Sequence, residues 1–310
     1  MRSDNRYTTL NQPKQRFSHL SKIYLHSAFL IPHSELKKKG LINMFTAGFI
    51  GCGNMGSALA GAAAKAIGGE NVFLSDFLEE KAISLSRETG ANKSSNEDIA
   101  KNCKYIFLGV KPQVISGTIS EIAPALKCRD DRYIVVSMAA GISIAAIKEA
   151  FGFEVPVIRI MPNTPASVGK GVILYSPDDT ITKGEESEFC EIFSLAGITD
   201  NIDEKLIDAA SALSGCGPAF VYLFIEALSD GAVDCGLPRD KALSYAANTV
   251  LGAAQMVIES GKHPGELKDN VCSPGGTTIE GVRALEDGGF RANAMNAVIK
   301  SYEKTLKLKK

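Results

Sequence analysis

The sequence predicts an α/β protein in two parts, a doubly wound and mostly parallel sheet followed by an all-helical C-terminal region. Three observations carry this expectation. A glycine-rich turn joins an apolar run to an alanine-rich one in GFIGCGNMGSALAGAAAKAI, residues 48–67. Short continuous apolar runs then alternate with helix-compatible stretches, the pattern of parallel strands covered on both faces. From about residue 204 helix-length segments follow one another with only glycine and proline punctuation.

Taken in order, residues 45–50 read as a buried strand and 57–67 as a helix, with Gly51, Gly53 and Gly56 at the turn between them. This is G-x-G-x-x-G in the strand-to-helix context that gives it meaning. Gly51 permits the tight turn, Gly53 lets a pyrophosphate approach the backbone, and Gly56 lets the helix pack close on the sheet. The helix N-terminus then offers free N–H groups to phosphates, so the expected ligand is a dinucleotide. A kinase glycine loop would need a V-A-I-K strand and an H-R-D loop, and the chain has neither. Residues 72–76 follow as a strand and 78–89 as a charged helix. The runs 105–110 (YIFLGV) and 133–140 (YIVVSMAA) are strands with a helix at 113–126 between them, and 155–160 and 171–175 are further strands, with a helix at 184–195. Helices are expected at 206–213, 219–234, 239–260, 277–286 and 291–306. Small residues in the third of these, Ala246, Ala247, Gly252, Ala253 and Ala254, permit close helix–helix contact, within one chain or between two.

Bulk properties narrow the function. The 310 residues carry a net charge of -1, which recommends neither nucleic acid nor an anionic membrane as partner. That balance hides an asymmetry: residues 1–43 hold eight Lys/Arg against two Asp/Glu, and the rest of the chain 26 against 33. The segment 1–43 therefore reads as a basic, disordered extension ahead of Met44, with a transit peptide as the other reading. The apolar stretch around residues 28–31 is too short, and follows too long a polar lead, for a secretory signal. No run reaches the ~18 consecutive apolar residues of a membrane span. Seven cysteines, at 52, 103, 128, 190, 216, 235 and 272, form no C-x-x-C pair, which suits reduced thiols in a cytoplasmic protein and argues against structural zinc. Outside the extension the one histidine is His263, in a polar loop, so a Ser-His or Cys-His nucleophile has little to build on.

In an open doubly wound sheet, ligands sit beyond the carboxyl ends of the strands. Lys111-Pro112, Ala139-Ala140-Gly141 and Met161-Pro162-Asn163-Thr164-Pro165 follow three successive strands and together read as a pocket floor. A second candidate is LKDNVCSPGGTTIEGVRALED, residues 267–287. Ser273 reads as an N-cap with Pro274 at the first helical position, and Ile279, Val282 and Leu285 form an apolar stripe ended by Gly288-Gly289. Gly275-Gly276 in the first turn would bare backbone N–H groups to a small anion such as a carboxylate, beside the hydroxyls of Thr277 and Thr278.

These motifs, GFIGCGNMG, the VKP at 110–112, SMAAG from Ser137, MPNTP from Met161, LSGCGPA from Leu213 and LKDNVCSPGGTTIEG from Leu267, run in order and resemble the pyrroline-5-carboxylate reductase family. The resemblance implies a Rossmann-like domain over 44–203 and a helical domain over 204–310 that binds substrate and interlocks with a second subunit, as a homodimer or a ring of dimers. It implies NADPH- or NADH-dependent reduction of 1-pyrroline-5-carboxylate to L-proline, the last step of proline biosynthesis. Carried over, it sets the cofactor phosphates at Ile50, Gly51, Cys52, Gly53, Asn54 and Met55 and the adenosine end near Ser75 and Asn96. Val110, Lys111, Met138 and Ala140 then lie along the ribose and nicotinamide, with Asn270 at the nicotinamide end, from this subunit or its partner. The substrate carboxylate falls on Gly276, Thr277 and Thr278, and the Thr278 hydroxyl near the imine nitrogen as the catalytic contact. Cys216 stands where the family commonly has serine.

One departure bears on the cofactor. Asp76 lies about 20 residues beyond Gly56, the usual place of the acid that binds an unphosphorylated ribose 2′-OH. Asp76 therefore favours NADH being used at least as well as NADPH, unless it only caps the next helix. Two other functions fit parts of the pattern. A β-hydroxyacid dehydrogenase shares the two-part plan but relies on a helical-domain lysine, for which Lys241, Lys262 and Lys268 are the candidates. A dinucleotide-sensing module would bind the cofactor without turnover, and would have no use for SPGGTT.

Overall fold

The computed structural model describes residues 45–308, so the expected extension at 1–43 lies outside the described residues. Strands β1 (Ala47–Ile50), β2 (Val72–Ser75), β3 (Asn92–Lys93), β4 (Tyr105–Leu108), β5 (Ile134–Ser137), β6 (Val157–Met161), β7 (Gly171–Pro177) and β8 (Gly197–Asn201) form one sheet in the order β3-β2-β1-β4-β5-β6-β7-β8. Neighbours are parallel except β6 and β7, which run antiparallel. The chain leaves β1 toward β2 and β3 and then crosses to β4 on the other side, so the topological switch falls at the carboxyl end of β1.

Every residue of β1, β4 and β5 is buried, because helices cover both faces of the sheet. Alternation along each strand divides the core in two. On one face Phe49 stacks on Phe107, ring centroids 4.4 Å apart, among residues of α1 (Asn54–Ile67), α2 (Glu79–Thr89) and α6 (Lys183–Ile192). On the other, Ile50, Ile106 and Val135 meet α3 (Asn96–Asn102), α4 (Ile115–Lys127) and α5 (Ile144–Phe151). The doubly wound sheet expected from the sequence is therefore the fold.

The helical region comprises α7 (Glu204–Ser214), α8 (Gly217–Asp234), α9 (Arg239–Ser260), α10 (Pro264–Val271), α11 (Thr277–Asp287) and α12 (Phe290–Leu308). The described residues divide into two compact units, 225–288 and 45–224 with 289–308. Within the larger, α7 is fastened to the sheet. Ile207 packs with Met161 and Leu174, and Arg159 of β6 donates to Asp208 of α7 at 2.5 Å, both side chains 3% exposed. In the smaller unit, α9 is 22 residues long yet buries only Ala242 and Ala246, leaving Leu243, Tyr245, Leu251 and Met256 exposed. The helical stretch Glu204–Asp234 is also long and apolar enough to cross a membrane by composition, with mean hydropathy 1.4 in its most apolar window.

One local expectation is corrected. Ser273 is not the N-cap of α11; the helix starts at Thr277, with Gly276 as its cap at φ −80° and ψ 170°. Gly275 sits at φ +67°, a left-handed conformation that helical backbone cannot contain. The Gly276 amide donates to the Ser273 carbonyl at 3.0 Å, so Ser-Pro-Gly-Gly closes a turn before the helix. A Cβ at Gly276 would lie 2.3 Å from Ser273 Oγ, so a side chain there would force the Ser273 hydroxyl to turn away.

Candidate active site

The glycine loop is built from β1 outward. Gly51 has φ +107°, and a Cβ there would stand 2.7 Å from the Gly109 backbone, so two strand-end turns touch at this point. A Cβ at Gly56 would be 2.0 Å from the Gly51 carbonyl oxygen, the close approach of α1 to the sheet that the motif requires. At Gly53 a Cβ would meet nothing within 4 Å, so that side of the loop is open to a ligand. Gly53 is also the N-cap of α1, without a side-chain cap and without an acid in the first turn. The amides of Asn54, Met55 and Gly56 are thus left as donors in the positive end field of a 14-residue helix. A pyrophosphate fits this cradle.

Further bonds fix the loop. The Gly51 amide donates to the Ser75 carbonyl at 2.7 Å and the Cys52 amide to Asp76 Oδ2 at 2.7 Å. Ser57 Oγ donates to the Cys52 carbonyl at 2.8 Å. Asp76 Oδ1 accepts from the Leu78 amide at 2.8 Å, so one carboxylate oxygen holds the turn after β2 and the other holds the glycine loop. Burial, and then the Asp76 charge, push the Cys52 thiol up to about 12, so it remains protonated and is no nucleophile at neutral pH.

The parallel register aligns the remaining loop positions. Ile50 pairs with Ser75 on one side and Leu108 on the other, and Leu108 pairs with Ser137. Ser75 and Asp76, the loop from Gly51 to Met55, Val110 and Lys111, and Met138 and Ala140 therefore stand in a row along one sheet edge, roughly 14 Å across at the usual strand spacing. Lys111 and Ala140 are exposed there, and Val110 and Met138 half-buried. Asn96, at the start of α3, lines a pocket of about 460 Å³ with Ser75 and Asp76. In the MPNTP loop Asn163 is tied into the fold. Asn163 is buried, donates to the Ser214 carbonyl at 2.9 Å and accepts from the Val172 amide at 2.9 Å, tying β6 and β7 to the end of α7.

The other candidate residues belong to the unit 225–288. Gly276, Thr277 and Thr278 form the N-terminus of α11, with Thr277 and Thr278 exposed and without a side-chain hydrogen bond among the described residues. The first three amides of α11 lack helical acceptors, which suits a carboxylate. Asn270 lies exposed in the last turn of α10. His263 accepts from the Gly265 amide through Nδ1 at 3.1 Å and so caps α10. Lys262 and Lys268 form exposed ion pairs with Glu266 and Asp269, and Lys241 is exposed near the start of α9. Among the described residues no cluster of three or more His, Cys, Asp or Glu side chains could hold a metal.

Comparison with known proteins bears on both units. Residues 204–308 match the family model described as pyrroline-5-carboxylate reductase dimerisation, and residues 46–141 match one described as NADP oxidoreductase coenzyme F420-dependent. The chain is 42% identical over 267 residues to the pyrroline-5-carboxylate reductase of Escherichia coli, covering 85% of this chain and 98% of that protein. It is 41% identical over 274 residues to the pea (Pisum sativum) enzyme of that name, covering 86% and 97%. The crystal structure of Plasmodium falciparum pyrroline carboxylate reductase with NADP bound superposes with a TM-score of 0.77 at 36% identity, over 86% of this chain and 98% of that one.

Proposed function

Because the chain belongs to the pyrroline-5-carboxylate reductase family, we infer that it reduces 1-pyrroline-5-carboxylate to L-proline, the closing step of proline biosynthesis. It is an oxidoreductase acting on a C=N bond with a nicotinamide dinucleotide. The observation that carries the reading is identity above 40% over nearly the whole length of the Escherichia coli and pea enzymes, across both the cofactor half and the helical half. A hydroxyacid dehydrogenase or a sensor would not be matched by the dimerisation model over residues 204–308.

The chemistry asks the protein for positioning. A bound reduced nicotinamide would supply the hydride for the imine carbon and solvent the proton for the nitrogen, so that the C=N bond becomes a single bond and the nicotinamide leaves oxidised. The amides of Asn54, Met55 and Gly56 hold the pyrophosphate, and Val110, Lys111, Met138 and Ala140 set the ribose and nicotinamide along the sheet edge. The backbone of Gly276 to Thr278 receives the substrate carboxylate, with the amides of Thr277 and Thr278 as its free donors since that of Gly276 is held by the Ser273 carbonyl, and the Thr278 hydroxyl hydrogen-bonds the imine nitrogen. Asn270 contacts the nicotinamide end, in its own subunit or across the dimer. NADH serves at least as well as NADPH. The functional division falls at 203/204, the cofactor on one side, substrate and dimerisation on the other.

The working protein is an oligomer built on these helices. A homodimer is its unit, and rings of dimers are the larger state that the family resemblance implies. Exposed apolar residues along α9 support a partner chain as what covers them, and the apolar stretch Glu204–Asp234 lies in the same matched region. Seven free cysteines support a cytoplasmic setting. Following NADH and NADPH oxidation with pyrroline-5-carboxylate as substrate tests the activity; absence of turnover with both reductants refutes it.

A further inference from the structure

The loop that follows β5 is held most firmly at its far end. Residues 138–143 leave the sheet after Ser137 and enter α5 at Ile144, carrying Met138 and Ala140 between the two. Hydrogen bonds inside the loop are long. The Met138 amide donates to the Leu108 carbonyl at 3.5 Å, the Ala139 amide to Ser137 Oγ at 3.4 Å and the Ile142 amide to the Ala139 carbonyl at 3.4 Å. Gly141 turns the chain at φ +75°. Where the loop ends, the Ile144 amide donates to Glu204 Oε1 at 2.8 Å, a bond that spans 60 residues of chain. The first turn of α5 thus takes one cap from its own Ser143 and a second from α7.

Glu204 is itself held in place. Its Oε1 also accepts from Arg159 Nη1 at 3.3 Å. Arg159 is 2% exposed and pairs in register with Ser137, the last residue of β5. Its Nη2 is committed to Asp208, one turn further along α7. A flat, permanently charged guanidinium bonded at both nitrogens fixes the Glu204 carboxylate, and does so from the strand position beside the start of the loop. A carboxylate at the first amide of α5 is also favoured by the field of the helix end. Helix α7 does not need Glu204 as its cap, because Asp203 Oδ1 accepts the Lys205 amide at 2.9 Å. The task left to Glu204 is the loop.

We infer that Glu204 is a positioning residue for the reductant, holding the loop of Met138 and Ala140 through the Ile144 amide while Arg159 orients it. The inference rests on the reading that sets Met138 and Ala140 along the nicotinamide and its ribose, and deepens it with a residue of α7. Hydride transfer depends steeply on where the ring stands, so a loop freed at one end lowers kcat. The phosphate cradle is fastened by other bonds, those of Ser75, Asp76 and Ser57, and keeps its grip.

The test compares the full-length protein with Glu204→Ala, Glu204→Gln, Ile144→Pro and Asp203→Ala. Glu204→Ala removes the acceptor, whereas Glu204→Gln keeps a side-chain oxygen for the Ile144 amide. Ile144→Pro removes the donor at the first helical position, where proline fits, and Ser143 at ψ 163° already has the backbone that precedes a proline. Ile144→Ala is its control, since it loses the same packing and keeps the amide. Asp203→Ala weakens the cap of α7 alone. Two readouts are taken. One is kcat and KM with pyrroline-5-carboxylate. The other is the dissociation constant, by calorimetry, of NAD+ and NADP+ set against ADP and 2′-phospho-ADP, which lack the nicotinamide and its ribose. Glu204→Ala, and Ile144→Pro relative to Ile144→Ala, are expected to lower kcat about tenfold and to weaken the dinucleotides about tenfold more than their nicotinamide-free counterparts, as loss of one charged hydrogen bond would. Glu204→Gln is expected to stay within about threefold of the unmodified protein, and Asp203→Ala within about twofold. Equal weakening of dinucleotides and ADP, an Asp203→Ala effect as large as that of Glu204→Ala, or an Ile144→Pro variant that matches its control overturns the inference. Should Glu204→Ala fail to fold, Ile144→Pro against Ile144→Ala decides. Should neither reductant turn over, the activity reading fails, and the ratio of dissociation constants still decides this one.

Discussion

Thr277 and Thr278 are neighbours at the start of α11, yet they hold different helix positions and so cannot serve one ligand equally. Their side chains leave the helix about 100° apart, which allows one hydroxyl to face a substrate while the other faces away. Thr278→Ala is therefore expected to lower kcat more than Thr277→Ala. A neutral hydrogen bond that strengthens in the transition state is worth about 1–2 kcal/mol, hence roughly five- to thirtyfold in rate. Equal loss from the two substitutions would take Thr278 out of its assigned role. Asp76 makes a second residue-scale case. Its spacing was legible in the sequence, but its bond to the Cys52 amide was not, because that contact spans 24 residues of chain. Asp76→Ser should shift the kcat/KM ratio several-fold toward NADPH through relief of repulsion with the 2′-phosphate. It should also raise KM for both cofactors, since the glycine loop loses an anchor. A ratio that stays fixed while both KM values rise would leave Asp76 with the anchoring task alone.

Elements were legible where burial dictated their composition. β1, β4 and β5 are buried at every residue and read as continuous apolar runs. β8 (GITDN) is an edge strand with no buried residue, and β3 is two exposed residues, so neither leaves an apolar signature. α5 buries only Ile147 and Phe151; its best signal was Ser143, whose hydroxyl accepts from the Ala146 amide. α6 shows what a cap adds. Thr182 and Glu185 form a reciprocal capping box, and Glu185 also accepts from Arg132 Nε at 2.7 Å, joining the helix to the chain just before β5. The Arg132 bond, followed by the Thr182 amide and hydroxyl, holds the Glu185 carboxyl down at about 2 against burial that would raise it. Because the folded value lies below the unfolded 4.5, this contribution to stability is complete above about pH 4.5 and is lost as pH falls toward 2. Glu185→Gln should therefore lower the urea midpoint at pH 7 and flatten its fall between pH 5 and about 2.5. An acid limb of unchanged slope would mean that other carboxylates govern it.

At the scale of the molecule, the sequence separated an α/β half from a helical half, but it could not say which apolar helix faces belong inside one chain. Periodicity looks the same whether a stripe meets its own core or a second copy. On α9 the chain covers only part of the helix with its own residues. Leu243, Tyr245, Leu251 and Met256 are each more than half exposed, while on the same helix Ala242 and Ala246 are buried. Burying a leucine or methionine side chain contributes about 1.5–3 kcal/mol, and a dimer doubles each contribution because both copies supply the residue. A charge placed in such a surface reverses the sign of the effect, since an unpaired carboxylate must be desolvated for the subunits to meet. Leu251→Asp is therefore expected to yield a folded monomer in sedimentation equilibrium, with the far-ultraviolet helix signal kept. Binding of NAD+ should survive in that monomer, since the glycine loop and the pocket lined by Ser75, Asp76 and Asn96 lie wholly in the unit 45–224 with 289–308. Turnover separates the two places left open for Asn270: it persists in the monomer if Asn270 serves its own subunit, and is lost with cofactor binding intact if Asn270 acts across the dimer. A variant that stays dimeric would place the contact on another face of the helices.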